Sequence, residues 1–225
     1  MMLNYTFQWR VVWKQFPELL QATLLTVQIT VLSIVLGLLI ASVLAAGRES
    51  HSRAFRGFAA SWVALARNTP ALLQIYMAYF GLGSIGVQIS PYAAVLGAIT
   101  FNNAGYLCEI IRGGLSAIPA AQRLAGKGLG MTEVQVYLNV TLPQVLRNVF
   151  LPITNQIIWA LLGTSLGMII GLQEVTGMTT FLQSQTFRPF EFYFAAACIY
   201  LIVAKLIIWT ATIIARLCFK GGLAQ

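Results

Sequence analysis

Few residues in this sequence are of a type that could do chemistry, and their spacing decides which kind. Histidine occurs once, at His51, between Arg48 and Arg53, where a solvated loop is expected. The cysteines, Cys108, Cys198 and Cys218, have neither metal-ligand nor Cys-x-x-Cys spacing, so they read as small apolar residues and no metal site is expected. No Ser/His/Asp or Cys/His set can be assembled, which excludes a nucleophilic enzyme. The nearest approach to a phosphate-binding loop, Gly126-Lys127-Gly128, lacks the upstream glycine and the Ser or Thr that would hold magnesium. What remains are polar groups set within apolar runs: Gln74, Asn102, Asn103, Gln156, Thr164, Ser165 and Lys205. Polar groups in lipid are costly and face a cavity or a neighbour. These could line a path for a polar solute. They could equally join helices, at about 0.6 kcal/mol per hydrogen bond on average.

The elements that must position them are membrane spans. Of 225 residues, 58% are hydrophobic and only 9% charged, against about 25% charged in a soluble domain. A span takes about 20 apolar residues, and the pattern predicts five: about 20–46, 58–82, 91–111, 151–172 and 192–217. The expected fold is therefore an all-α polytopic membrane protein with five transmembrane helices. It carries an N-terminal segment 1–19, a polar insert 115–143 and a tail 218–225. The first apolar run is too long for a signal-peptide core and reads as a retained helix, although Val43-Leu44-Ala45-Ala46 faintly resembles a cleavage site. The net charge of +8 lies mostly at span ends, which is a topology signal rather than a nucleic-acid surface. With the N-terminus outside, Arg48, Arg53, Arg56, Arg112, Arg123, Lys127, Arg147, Arg216 and Lys220 fall inside, and only Arg10, Lys14 and Arg188 outside. That asymmetry puts the C-terminus in the cytoplasm. The five tryptophans read as interface anchors or packing.

Local signals shape each span. Thr69-Pro70 should interrupt span two, with Arg67 capping the break. Glu109 and Arg112 are three apart and can pair, and Gly113-Gly114 should end span three. Gly163, Gly167 and Gly171 form a small-residue face for close helix packing. Lys205 stands in mid-span, opposite a carboxylate or a backbone acceptor.

The insert is read as helix, glycine turn, helix. Pro119 opens a helix over Ala120–Lys127, and Gly128 and Gly130 end it. Thr132 and Gln135 form a capping box, with Glu133 in the first turn and Met131 stapled to Val136. The second helix, Glu133–Thr141, should stop at Leu142-Pro143. A connector needs only 2–8 residues, so this insert is better explained as a docking element.

The order Ala125, Gly130, Val140-Thr141-Leu142-Pro143 resembles the EAA loop of ABC importer permeases, E-A-A, three residues, G, nine residues, I-x-L-P. Leu124 stands where that pattern has Glu, Gly126 where it has Ala, and Val140 where it has Ile. Arg67-Asn68-Thr69-Pro70-Ala71-Leu72-Leu73-Gln74, Tyr79-Phe80-Gly81-Leu82, Glu109-Ile110-Ile111-Arg112-Gly113-Gly114, Leu142-Pro143-Gln144 and Thr164-Ser165-Leu166 resemble the polar amino acid permease subfamily, which includes the histidine, glutamine and glutamate permeases. The subfamily often has a lysine where Leu162 stands here.

The resemblance implies a type I ABC importer fold in the bacterial inner membrane. It implies a second permease subunit, two cytoplasmic ABC ATPase subunits and a periplasmic amino-acid-binding protein. Leu124, Ala125, Gly126, Gly130, Met131, Val140, Leu142 and Pro143 would dock the ATPase. The polar residues inside the spans would line the amino acid's path, while Arg67, Thr69, Pro70, Glu109, Arg112, Gly113 and Gly114 would be structural. ATP and magnesium would belong to the partner, leaving this chain without a cofactor. The missing Glu at Leu124 favours a heterodimer over a homodimer. The competing class is an ion-coupled transporter or channel. It would need intramembrane acids or an inverted repeat; Glu109, at an inner span end, is the only acid near a span interior, and no repeat is seen.

Overall fold

Apolar runs with few breakers fold as helices because no other element satisfies its own backbone in hydrocarbon, and the described residues contain no strand. The structure is a computed structural model that describes residues 5–219. Parts of the N-terminal segment (1–4) and of the tail (220–225) lie outside the described residues. In order, the helices are α1 (Trp9–Lys14), α2 (Phe16–Arg48), α3 (Arg53–Asn68), α4 (Ala71–Tyr76), α5 (Leu82–Ser84) and α6 (Pro91–Ser116). They continue with α7 (Ala120–Gly128), α8 (Glu133–Val136), α9 (Leu142–Gly163), α10 (Val175–Thr186) and α11 (Pro189–Cys218). A π-helical turn, Met77–Gly81, joins α4 to α5, and another, Tyr137–Thr141, joins α8 to α9. A 3₁₀ segment, Thr164–Ile170, extends α9.

Four helical runs are long and apolar enough to cross a membrane: Phe16–Arg48, Pro91–Ser116, Glu133–Ile170 and Pro189–Cys218. The second expected span, 58–82, is not a single helix. Thr69, before Pro70, is extended (φ −117°, ψ 143°), so α3 stops there and α4 starts afresh.

Contacts divide the chain into two compact units. One holds the described residues up to Ser33 with Pro70–Thr100 and Trp159–Leu206; the other holds Ile34–Thr69, Phe101–Ile158 and the chain from Ile207. In the second unit α6 is the hub. A Cβ on Gly105 would stand 2.5 Å from the Ala66 Cβ of α3, and one on Gly114 2.3 Å from the Val149 Cγ1 of α9. A Cβ on Gly37 of α2 would lie 3.0 Å from the Asn103 Cβ. Ile118, Val145 and Val149 form a buried cluster closed by Ile110, Leu115 and Ile153. In the first unit Val12, Leu19, Leu182 and Phe192 pack together, so α1 rests on α10 and α11.

Two expected helix stops and one expected packing face differ. Gly113-Gly114 does not end α6, which runs on to Ser116. Neither glycine has positive φ; Gly114 is small because Val149 lies against it. Arg112 therefore sits above the last turn rather than in it. Leu142-Pro143 does not stop a helix either, because the run from Glu133 to Ile170 is continuous. The wider π turn just before Pro143 carries the carbonyl four residues back away from the proline ring. The Gln144 side chain donates to the Val140 carbonyl (2.8 Å). Gly163, Gly167 and Gly171 do not share one α-helical face, since the segment between them is 3₁₀ and Gly171 is left-handed (φ +81°). Gly167 instead packs within the chain, where a Cβ would meet Val95 and Leu172 at 2.9 Å.

The two glycines of α6 make opposite predictions. Gly114→Val should lower stability by about 1–3 kcal/mol through overpacking against Val149. Gly113→Ala, with nothing within 4 Å of its Cβ, should be neutral or raise stability by about 0.5–1 kcal/mol. Thermal melting of the purified variants measures both.

Candidate functional site

The insert is built from local chemistry. After α7, Gly130 takes the left-handed conformation (φ +81°). The Gly130 N–H donates to Lys127 O (2.9 Å) and the Met131 N–H to Gly126 O (3.1 Å), which together close the α7 C-terminus. The expected capping box is present: the Thr132 hydroxyl accepts from Gln135 N (3.3 Å), and Gln135 Oε1 accepts from Thr132 N (2.9 Å). Lys127 pairs with Glu133 across the turn. A Cβ on Gly126 would stand 3.0 Å from Val136 Cγ2 and 3.5 Å from Met131 Sδ, so both side chains lie against the glycine. Gln144 Nε2 also donates to Gln122 Oε1 (2.7 Å), tying α7 to the start of α9.

This folded insert leaves apolar side chains uncovered. Leu124 is 67% exposed and Leu129 84%, with Val134, Tyr137 and Leu138 also exposed. Ala125 is exposed and Val140 and Leu142 partly so, while Gly126 is buried beneath the turn.

Glu109 on α6 gathers three guanidinium groups: Arg112 at 2.9 Å, Arg67 at 3.9 Å and Arg48 at 4.0 Å. One carboxylate against three cations leaves two positive charges in excess. They border a cleft of about 240 Å³ that Asn68, Ala60, Val63 and Ala64 complete. All four charged groups are partly solvated, so the cluster contributes little to stability. Arg67 also lies over the Tyr106 ring (5.4 Å). The break after α3 is capped not by the Arg67 side chain but from α6. Asn102 Nδ2 donates to the Ala66 carbonyl (2.9 Å) and the Tyr106 hydroxyl to the Arg67 carbonyl (3.4 Å). Both carbonyls lie in the last turn of α3, where a helix leaves its acceptors open to other donors.

The polar residues read from the sequence are distributed over both units. Asn102, Asn103 and Gln156 lie buried in the second, where Gln156 Nε2 donates to Asn103 Oδ1 (2.9 Å). Gln74, Thr164, Ser165 and Lys205 lie in the first. Thr164 is buried, its hydroxyl on Leu161 O (2.8 Å), and Ser165 donates to Leu162 O (2.7 Å). Gln74 is half-buried. Lys205 is exposed on α11.

Two acids missed in the sequence are fully buried, Glu174 and Glu191. Glu174 caps α10: its carboxylate accepts from Thr176 N (3.0 Å), Gly177 N (2.8 Å) and the Tyr200 hydroxyl (2.7 Å). Thr26 Oγ1 accepts from Val175 N (3.2 Å), so the first three N–H groups of α10 are satisfied. A Cβ on Gly177 would lie 1.9 Å from the Leu172 carbonyl oxygen, which fixes that residue as glycine. Glu191 accepts from Gln8 N (2.8 Å) and the Tyr5 hydroxyl, holding the N-terminal segment. Both carboxylates are fully engaged, so neither is a free ion-coupling group. The signal for α10 was apolar spacing at Val175, Met178 and Leu182, hidden among threonines and glutamines.

Burial pushes the Glu174 carboxyl above its ordinary range, opposed by its hydrogen bonds to Thr176, Tyr200 and Gly177. A carboxyl raised in the folded state contributes stability that is fully present below its unfolded pKa. That contribution is lost as pH rises through the folded value. The Glu174 contribution should therefore decline from about pH 4 upward. Glu174→Gln should flatten this slope, as read by melting temperature against pH.

Residues 33–220 match the family described as the binding-protein-dependent transport system inner membrane component. Over 199 residues the chain is 36% identical to the octopine transport system permease protein OccM of Rhizobium meliloti, covering 84% of this chain and 81% of that protein. It is 34% identical over 204 residues to the glutamine transport system permease protein GlnP of Escherichia coli K12, covering 88% and 91%. Among solved structures, that of an amino acid ABC transporter with histidines is 28% identical. It superposes with a TM-score of 0.88 over 94% of this chain and 99% of that one. An inward-facing MetNI methionine ABC transporter, 17% identical with a TM-score of 0.71 over 95% and 100%, shares the fold.

Proposed function

Because the chain belongs to the family of binding-protein-dependent transport system inner membrane components, we propose that it is the permease subunit of an ATP-driven importer for a polar amino acid. The observation that carries this reading is the likeness, across nearly both chains, to the amino acid ABC transporter with histidines. The names of the octopine and glutamine permeases point to the same solute class.

In this reading the insert is the coupling element. α7, the Gly130 turn and α8 present Leu124, Leu129, Val134 and Leu138 to a cytoplasmic ATPase, which supplies nucleotide and magnesium. The turn is stiff, because the Gly130 and Met131 N–H groups close the end of α7, the Thr132–Gln135 capping box opens α8 and Lys127 pairs with Glu133. α8 passes without a stop into α9, so a push on the insert moves the span. The broken segment α3–α4–α5 completes a fifth crossing, with the N-terminus periplasmic and the C-terminus cytoplasmic. A periplasmic binding protein delivers the solute. With Leu124 in place of Glu, docking rests on packing, and a second, unlike permease supplies the missing charge.

The test is reconstitution in proteoliposomes with the ATPase, the second permease and the binding protein. Gly130→Val forces a β-branched residue into the left-handed region at about 1–2 kcal/mol. ATP-driven uptake of labelled glutamine should fall about tenfold or more, with insertion into the bilayer unchanged. Unchanged uptake would sink the coupling reading, and ATP-independent uptake by the chain alone would sink the importer itself.

A further inference from the structure

We propose that the cleft between α1 and α11 is a binding site for an anionic phospholipid, with an acyl chain in the cleft and the phosphate on Arg10 and Lys14. The cleft is about 520 Å³. Trp9, Val12, Trp13 and Phe16 form one wall, and Ile199 and Ile202 of α11 stand opposite. No charged side chain lines it, so its contents are hydrocarbon. The transported solute, which is polar, does not belong there.

The sequence of α1 says what kind of hydrocarbon. Positions 9, 12, 13 and 16 follow helical spacing and take the cleft side. Arg10 and Lys14, one turn apart, share the adjoining flank, and both are exposed. Among the described residues neither makes an ion pair; Glu18, four residues after Lys14, makes none either. Arg188, by contrast, is already engaged by the Thr6 carbonyl and Glu191. A short helix with two tryptophans toward hydrocarbon and, on its flank, two cations that make no ion pair among the described residues matches the headgroup level of a bilayer. A zwitterionic lipid would fill the cleft and offer a phosphate, but its own ammonium would offset the negative charge that the two cations attract. A helix of another protein would fill it without supplying a phosphate. An anionic phospholipid satisfies the apolar cleft and the cationic flank together.

The experiment uses the assembled importer in nanodiscs of equal phosphatidylglycerol and phosphatidylcholine, with native mass spectrometry of the lipid retained after release. The wild type should retain phosphatidylglycerol in preference, by roughly thirtyfold for two cations at the surface. R10Q/K14Q, which leaves the cleft intact, should bring that preference to about one without reducing total retained lipid. Cys198→Trp, which fills the cleft, should reduce retention of both lipids; Ala195→Phe serves the same purpose should that variant fail to assemble. Equal retention of the two lipids by the wild type would overturn the proposal, as would a preference that survives R10Q/K14Q. Cross-linking of native Cys198 to another protein chain would also overturn it, since the cleft would then be a subunit contact.

Discussion

A helix that breaks within hydrocarbon frees backbone groups that no water can satisfy, and each one left alone costs several kcal/mol. This chain breaks or distorts its helices repeatedly, and its tertiary structure is largely the set of repairs. At Thr69-Pro70 the last carbonyls of α3 are taken by Asn102 and Tyr106, one turn apart on α6. After the 3₁₀ segment, Gly171 and Leu172 close the helix with N–H donations to Met168 and Gly167. Thr26 and Glu174 then open α10. At Pro143, in the polar insert, a π turn and the Gln144 amide make a corresponding repair within one helix. These bonds demand that α6 lie close on α3, and glycine at 105 is what lets it.

The long helices were legible in the sequence because spans need only length and apolarity, which composition reports directly. The insert was legible for a different reason. A capping box and a left-handed glycine are local devices, complete within a few residues, so Thr132, Gln135 and Gly130 announce themselves. What the sequence concealed were features that depend on a distant neighbour. Gly113-Gly114 looks like a helix stop until Val149 is known to stand against it. Leu142-Pro143 looks like a stop until the π turn before it is seen. Residues 173–191 are polar in composition, yet they hold α10, whose threonines and glutamines obscure the apolar spacing beneath.

The polar residues of the spans illustrate the same limit. An asparagine in an apolar run is equally suited to a solute and to a carbonyl of the next helix, and sequence does not say which is near. The structure places Asn102 on Ala66 and joins Asn103 to Gln156. It also adds two buried acids that no apolar-run argument pointed to. Glu174 and Glu191 are affordable because each accepts several hydrogen bonds, which is the condition for burying a carboxylate. Their burial therefore speaks for architecture, the start of α10 and the seat of the N-terminal segment, rather than for ion coupling.

The consequence for the proposed coupling lies in how α7 is held. An insert joined to its span by a flexible loop would dissipate a push, since a flexible connection absorbs displacement in its own dihedrals. Here the route from α7 to α9 offers few free dihedrals. The glycine turn is closed by two backbone bonds, the capping box fixes the next residues, and Gln144 bridges directly back to Gln122. The π turn lies inside the helical run instead of interrupting it. Movement of α7 must therefore either break several hydrogen bonds at about 1 kcal/mol each or carry the start of α9 with it. The second course is cheaper for any small displacement. On the proposed reading, that makes the insert a lever rather than a tether.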